Sequence, residues 1–296
     1  MHLIGFLLSY PLLWLISLLP LRILYLISDY FLFPLVYHVI RYRKKVVFEN
    51  LRNAFPQKSE KERRQIARKF YHYFCDLLVE TIKLIHISEK EYKRRIRFKN
   101  PEVIEELYHK GYNIIAVTGH YGNWEWLSGV SNATPYQNMS LYKPLSNKYF
   151  EKVLTRIRTR FGAHLVPIND TMRRMVSYRQ EGTRVLSCFI SDQTPLRSHI
   201  QYWTRFLNQD TPIYLGPEKL ARAFHQAVIF LKIIRTQRGY YQIEVVKLFE
   251  DVDQVHEHEI TEAHVRELEN LICEKPEYWL WTHRRWKHKK PAHAES

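Results

Sequence analysis

A chain of 296 residues with 46% hydrophobic and 25% charged residues is long and apolar enough to bury a substantial core, which excludes a disordered chain. A formal net charge of +15 points to anionic partners: nucleic acid, acidic lipid or an acidic protein. Three widely spaced cysteines, Cys75, Cys188 and Cys273, form neither a metal-ligand spacing nor a disulfide framework, which fits a reducing compartment.

The N-terminus narrows the choice of partner. Nineteen positions from Leu3 to Leu21 carry no charge. As one helix they would extend about 28 Å, close to the thickness of a bilayer core, with Pro11 and Pro20 as kinks or stops. The next apolar stretch, Ile23 to Ile40, contains Asp29, Pro34 and His38 and reads as interfacial or buried rather than as a second span. Arg41-Tyr-Arg-Lys-Lys45 follows, and the positive-inside rule places this cluster and the body behind it on the cytoplasmic side. No basic n-region precedes the apolar run and no small-residue cleavage site follows it, so a membrane anchor is expected rather than a cleaved leader. An aromatic content of 14% suits an interfacial surface.

From Arg41 to about Lys99 the pattern is helical, with Ser59 before a charged first turn and Ile66, Phe70, Phe74 and Leu77 at helical spacing. A soft boundary falls at Lys99-Asn-Pro101, dividing the chain into an anchoring region (1–40), a helical region (41–100) and a core (101–296). Pro101 opens a short helix. Strands are then predicted at Asn113–Thr118, Met139–Tyr142, His164–Pro167, Arg184–Ile190, Ala227–Ile234 and Tyr241–Val246. Helices are predicted between them at Trp124–Val130, Asn147–Phe161, Thr171–Gln180 and Gly216–Phe224, with a last one at Thr261–Cys273 capped by Thr261. The alternation specifies an α/β class, a mixed sheet covered by helices.

Where the first core strand meets its helix stands His120-Tyr-Gly-Asn-Trp-Glu125. Ligands of open α/β sheets gather at the carboxyl ends of strands. A helix N-terminus disfavours the imidazolium, so His120 there is suited to accept a proton, and Glu125 can turn back to hold the ring. Two readings stay open from the spacing alone: this base and its orienting carboxylate, or a capping histidine with a solvated first-turn acid. A second carboxylate, Asp192, follows the strand Val185–Ile190, where it is either functional or a turn residue. Tyr142-Lys-Pro-Leu-Ser-Asn147 precedes a basic helix in which Arg156 and Arg160 share one side and Arg158 points elsewhere. Thr282 to Lys290 holds five Lys or Arg and no acid, next to Trp279, Trp281 and Trp286, a composition suited to an anionic membrane surface.

Together these segments resemble the lysophospholipid acyltransferase superfamily, and more closely the bacterial lipid A late acyltransferases, the lauroyl and myristoyl transferases. The resemblance covers nearly the whole chain. It rests on the N-terminal apolar helix, Asn50-Leu-Arg-Asn-Ala-Phe-Pro56, Gly119-His-Tyr-Gly-Asn-Trp-Glu125, Tyr142-Lys-Pro144, Arg158-Thr-Arg-Phe-Gly162, Asp192-Gln193 and Leu280-Trp-Thr-His-Arg-Arg-Trp-Lys287. The superfamily has His-x4-Asp, whereas the lipid A branch often has Glu, as here. Lys143 stands where that branch commonly has Arg, and Asp192-Gln-Thr where many of its enzymes have Asp-Gln-Asp.

The resemblance implies the acyltransferase fold and transfer of a fatty acyl group from a thioester to a lipid hydroxyl, with His120, Glu125 and Asp192 as catalytic residues. Backbone N–H groups near the helix start are the expected oxyanion donors. Arg158, Lys143, Tyr142, Asn147, Arg284 and Arg285 are expected to bind substrate, Arg158 through an acceptor phosphate. No cofactor or metal is implied. The expected partners are acyl carrier protein as acidic donor (acyl-CoA being the alternative), an anionic glycolipid acceptor and a bacterial inner membrane, crossed once or bound on one face. No nucleic-acid motif is present. Rival expectations are another lysolipid acceptor (an amino-acid lipid, a glycerophospholipid or a mannosylated lipid) and a membrane scaffold with a degenerate site.

Overall fold

The computed structural model describes residues 2–291, excepting the side chains of residues 2, 4 and 129–133. The uncharged N-terminal run forms helix α1 (His2–Leu18), which stops short of the expected Leu21. Pro20 is the cause. It disfavours helical geometry at Leu19, and its own backbone is extended (φ −57°, ψ 145°) ahead of α2 (Leu21–Ile27). Two π-helical stretches, Ser28–Leu32 and Pro34–Val39, continue α2, the second beginning at a proline that has no N–H to give the helical ladder. Among the described residues no single helix is long and apolar enough to cross a membrane. The bent pair Leu21–Val39 and Lys44–Ala54, folded by 83°, reaches that length and composition only together.

Arg41 and Arg43 have positive φ and break the chain before α3 (Lys44–Ala54). The long helix α4 (Glu60–Lys83) starts at a capping box, in which Ser59 accepts from the Glu62 amide and Glu62 from the Ser59 amide. Short helices α5 (Glu89–Arg95) and α6 (Glu102–His109) flank a strand not foreseen from the sequence, β1 (Ile96–Phe98). The core continues as β2 (Ile114–Thr118), a 3-10 helix (Trp124–Ala133) where an α-helix was expected, β3 (Gln137–Tyr142), α7 (Lys148–Thr159), β4 (His164–Pro167), α8 (Thr171–Gln180) and β5 (Val185–Ile190). A second omission is the hairpin β6 (Tyr202–Phe206) and β7 (Gln209–Ile213), turned by Leu207 and Asn208 at positive φ. Then come α9 (Gly216–Phe224), β8 (Ala227–Gln237), β9 (Tyr240–Phe249) and α10 (Glu259–Glu274). Thr261 therefore lies inside α10 rather than capping it, and its amide and hydroxyl both donate to Glu218.

The seven-stranded sheet has the order β1-β9-β8-β2-β5-β3-β4, parallel throughout except for the β8–β9 pair. Its central strand β2 is buried at all five positions, as expected of a parallel strand covered on both faces. Alternation along it splits the core in two. Ile115 and Val117 join one cluster with α9, α10 and Phe230, and Ile114 and Ala116 join the other with Trp126, Leu107 and Ile157. Phe230 is 1% exposed in β8, whereas Phe31 is 62% exposed. Phe230→Ala is expected to cost about 3 to 5 kcal/mol and Phe31→Ala less than about 0.5 kcal/mol in urea unfolding, and equal losses would contradict this core.

Candidate active site

Strand register brings the two main groups together. β2 and β5 are parallel neighbours with Thr118 opposite Ile190, and the Ser191 amide extends the ladder to the Thr118 carbonyl at 3.0 Å. His120 and Asp192 each stand two residues beyond their strand's last paired position, so they emerge side by side at the carboxyl edge of the sheet. Gly119 between strand and histidine is tightly packed: a Cβ there would lie 2.7 Å from Leu268 Cδ1, which would have to shift, and 3.3 Å from Asp192 Oδ2. Gly122 has φ +58°, and a Cβ would lie 2.6 Å from the Ile233 carbonyl. The turn from strand to 3-10 helix is therefore tight and seated on β8.

Asp192 is 6% exposed and grips His120 twice. Its Oδ1 lies 2.5 Å from His120 Nδ1, and its Oδ2 accepts the His120 backbone amide at 2.8 Å. The same Oδ2 accepts the Trp279 indole N–H at 2.8 Å. Burial by itself would raise the Asp192 carboxyl, but the charge of His120 and these donors outweigh it and hold the group at about 2. An ionised Asp192 fixes the proton on Nδ1 and leaves a lone pair on Nε2. Nε2 accepts from the Gln193 amide at 3.1 Å, and Trp124 meets the ring edge-on with centroids 4.9 Å apart. The His120 side chain is 17% exposed, and a histidine with a fixed tautomer can take a proton at Nε2 from a bound group that displaces the Gln193 amide.

Glu125 does not hold the histidine, contrary to expectation. It is engaged by Arg158, whose Nε lies 3.0 Å from Oε2 and whose Nη2 lies 2.7 Å from Oε1. Burial opposes the guanidinium's charge, but Glu125 overcomes this and raises Arg158 above its ordinary range. The physical reason is reach. Glu125 lies on the first turn of a helix that runs beneath α7, whereas Asp192 shares the strand edge with His120. Arg158 is thus already paired, with Nε and Nη2 both bonded to Glu125.

The other expected binding residues divide. Lys143 and Arg284 are exposed, and Tyr142 is half-buried, its phenol pushed up by burial and by Glu151. Asn147 caps α7, accepting from the Tyr149 and Phe150 amides, so its side chain serves the helix. Arg285 is 1% exposed and donates to the Pro212 carbonyl at 2.7 Å, which removes it from any substrate surface. The Trp-rich C-terminal segment likewise faces inward. Trp279 and Trp281 are buried, and their segment crosses the catalytic turn as a strap. Along it the Gly122 amide donates to the Tyr278 carbonyl at 3.1 Å and the Leu280 amide to the His120 carbonyl at 3.1 Å. The amides of His120 and Gly122 are therefore committed and not free for an oxyanion. Gln193 and Trp279 were missed as site residues. The signals available were the position of Gln193 beside Asp192 and the alternation Trp279-Leu-Trp281, which is that of a half-buried extended segment. Among the described residues no cluster of His, Cys, Asp or Glu could hold a metal ion.

A family model described as bacterial lipid A biosynthesis acyltransferase matches residues 2–288. A lipid A biosynthesis acyltransferase of Haemophilus influenzae is 23% identical over 78% of this chain and 72% of its own length. A lipid A biosynthesis myristoyltransferase of Escherichia coli K12 is 22% identical over 83% of this chain and 76% of its own length. A palmitoleoyltransferase of the same organism is 22% identical over 84% and 80%.

Two histidines behind the site make stability depend on pH. Burial lowers both His264 and His283 to about 4 from an ordinary 6.5. As pH falls, the unfolded chain takes up these protons first, so stability is lost from about 6.5 down to about 4. Asp192 acts only below that window. The melting temperature is expected to fall between pH 6.5 and 4 with a shallower slope in His264→Leu, and equal slopes would remove His264 from the account.

Proposed function

The chain belongs to the bacterial lipid A biosynthesis acyltransferase family and is an acyltransferase of lipid A biosynthesis, and from this and the dyad we propose the following reaction. The acceptor is a hydroxyl of a lipid A precursor, and the donor is a fatty acyl thioester carried by acyl carrier protein. His120 Nε2 removes the hydroxyl proton as the oxygen attacks the thioester carbonyl. The C–O bond forms, the C–S bond breaks, and the proton on His120 passes to the leaving thiolate. Asp192 supports the imidazolium that exists between these steps. Arg158, oriented by Glu125, offers its remaining N–H groups to an acceptor phosphate, for which a guanidinium is well shaped. The observation that carries this reading is a histidine, its side chain 17% exposed, whose Nδ1 is fixed by a buried carboxylate and whose Nε2 meets the Gln193 side chain.

The membrane side of the proposal rests on exposed apolar surface. Leu7, Leu8, Leu12 and Leu15 of α1 are 58%, 76%, 58% and 58% exposed, and Tyr30, Phe31, Val39 and Ile40 extend that surface. We place this segment in the inner membrane, held from one face, with the basic cluster at Arg41–Lys45 against anionic headgroups on the cytoplasmic side. The net charge of +15 also suits an acidic carrier protein.

His120→Ala is expected to lower kcat by about three orders of magnitude or more, and Asp192→Asn by about two or more, while both proteins still sediment with membranes. A His120→Ala protein with near wild-type transfer would remove the base. Mass spectrometry of lipids from cells with and without the chain is expected to show lipid A lighter by one acyl chain in its absence. An unchanged lipid A beside an altered phospholipid or aminolipid would overturn the acceptor.

A further inference from the structure

Helix α4 carries two buried carboxylates one turn apart, Asp76 and Glu80. Asp76 is matched by charge, with Arg235 Nη2 at 2.8 Å and Arg238 Nη2 at 2.5 Å. Glu80, 0% exposed, takes its hydrogen bonds from three neutral donors instead. Its Oε1 accepts the Tyr25 hydroxyl at 2.8 Å, and its Oε2 accepts the Tyr241 hydroxyl at 2.7 Å and Asn123 Nδ2 at 2.6 Å. Burial raises its carboxyl above the ordinary value, against the nearby charge of Arg235. A buried carboxylate is a weak device for stability, because an apolar residue of similar size commonly does as well or better. Its partners show what it does otherwise.

Asn123 lies between His120 and Glu125 and is 0% exposed. It stands at the N-cap of the 3-10 helix, where asparagine ordinarily accepts from the helix amides. Here it makes no such bond, and its amide goes to Glu80. One turn on, Trp126 Nε1 donates to the Glu80 carbonyl at 3.4 Å. One residue of α4 therefore tethers the catalytic turn at two points. Tyr25 belongs to α2, next in the chain to the exposed leucines of α1, and lies only two hydrogen bonds from Asn123.

We propose that Glu80 is a positioning residue for acyl transfer, holding the His120–Glu125 turn through Asn123, and that its bond to Tyr25 ties the seating of the N-terminal helices to that turn. The proposal rests on the reaction given above. A displacement of about 1 Å at reacting groups can cost about 100-fold in rate, so the tether acts on kcat.

The test uses the full chain in mixed micelles, with an acyl thioester and a lipid A precursor. Glu80→Ala is expected to lower kcat per folded protein by about 10- to 100-fold while acceptor KM stays within about twofold. Glu80→Gln is expected to stay within about threefold of wild type, because its carbonyl can accept from Asn123 and Tyr241 while its amide donates to the Tyr25 oxygen. Asn123→Ala combined with Glu80→Ala should be no slower than the slower single variant. Tyr25→Phe, which keeps the ring and removes one hydroxyl, should lower kcat by about three- to tenfold and serves if Glu80→Ala does not fold. Unchanged kcat in Tyr25→Phe and Asn123→Ala, losses that multiply in the double variant, or a Gln variant no better than Ala would each overturn the proposal. Carbethoxylation of His120 by diethyl pyrocarbonate, followed on the peptide, gives a readout that needs no substrate. Its rate is expected to change at least about threefold in Glu80→Ala and not in Glu80→Gln. If wild type transfers nothing, the proposed reaction fails and the carbethoxylation rates alone decide for or against Glu80. If wild type and all variants transfer equally, only the role of Glu80 fails.

Discussion

Everything at the site is arranged around the double grip of Asp192 on His120. One carboxylate oxygen fixes the ring and the other fixes the backbone amide of the same residue, so neither the tautomer nor the position of the imidazole is left to rotation. A buried carboxylate would ordinarily drift toward its neutral form. Here the histidine, its own amide and the Trp279 indole together hold it ionised. The rest of the fold meets what that grip requires: a parallel pair with Thr118 opposite Ile190, a glycine packed closely against Leu268 and Asp192, and a C-terminal strap that supplies the indole.

Charge around the site is arranged in pairs with distinct work. His120 and Asp192 are adapted to moving a proton. Glu125 and Arg158 form a largely buried ion pair, which orients the guanidinium. Asp76 with Arg235 and Arg238 ties α4 to the far end of β8. Glu80 stands apart, since its partners are hydroxyls and an amide, and one of them belongs to the catalytic turn.

The N-terminal region shows how a composition can be read correctly and its geometry still missed. The absence of charge from Leu3 to Leu21 is plain in the sequence, and so is Pro20. What the proline does was set by the fold. α1 ends at Leu18, α2 turns to pack on α4, and the exposed leucines lie along a helix that makes part of its contacts with α7 and α4. The tryptophans near the C-terminus are the converse case. They were read as a membrane-facing belt, yet Trp279 and Trp281 are buried and structural. A tryptophan beside arginines has the same local composition whether it faces lipid or a core.

By itself the sequence determined the α/β class, six of the nine strands among the described residues, most of the helices between them and the position of His120 at a strand-to-helix turn, because these follow from hydrophobic period and local turn chemistry. It also marked Asp192 as a second candidate carboxylate at a strand end, while Arg158 was named through the family resemblance. It could not assign partners. Whether Glu125 or Asp192 holds the histidine depends on which strands are neighbours and in what register, and a separation of 72 positions between His120 and Asp192 carries no local signal of that. The short strands β1, β6 and β7 escaped for the same reason, since each exists only by pairing. Tertiary structure decided which carboxylate meets the base, which arginine is buried and which asparagine is tethered, because those are contacts between segments that only folding makes adjacent.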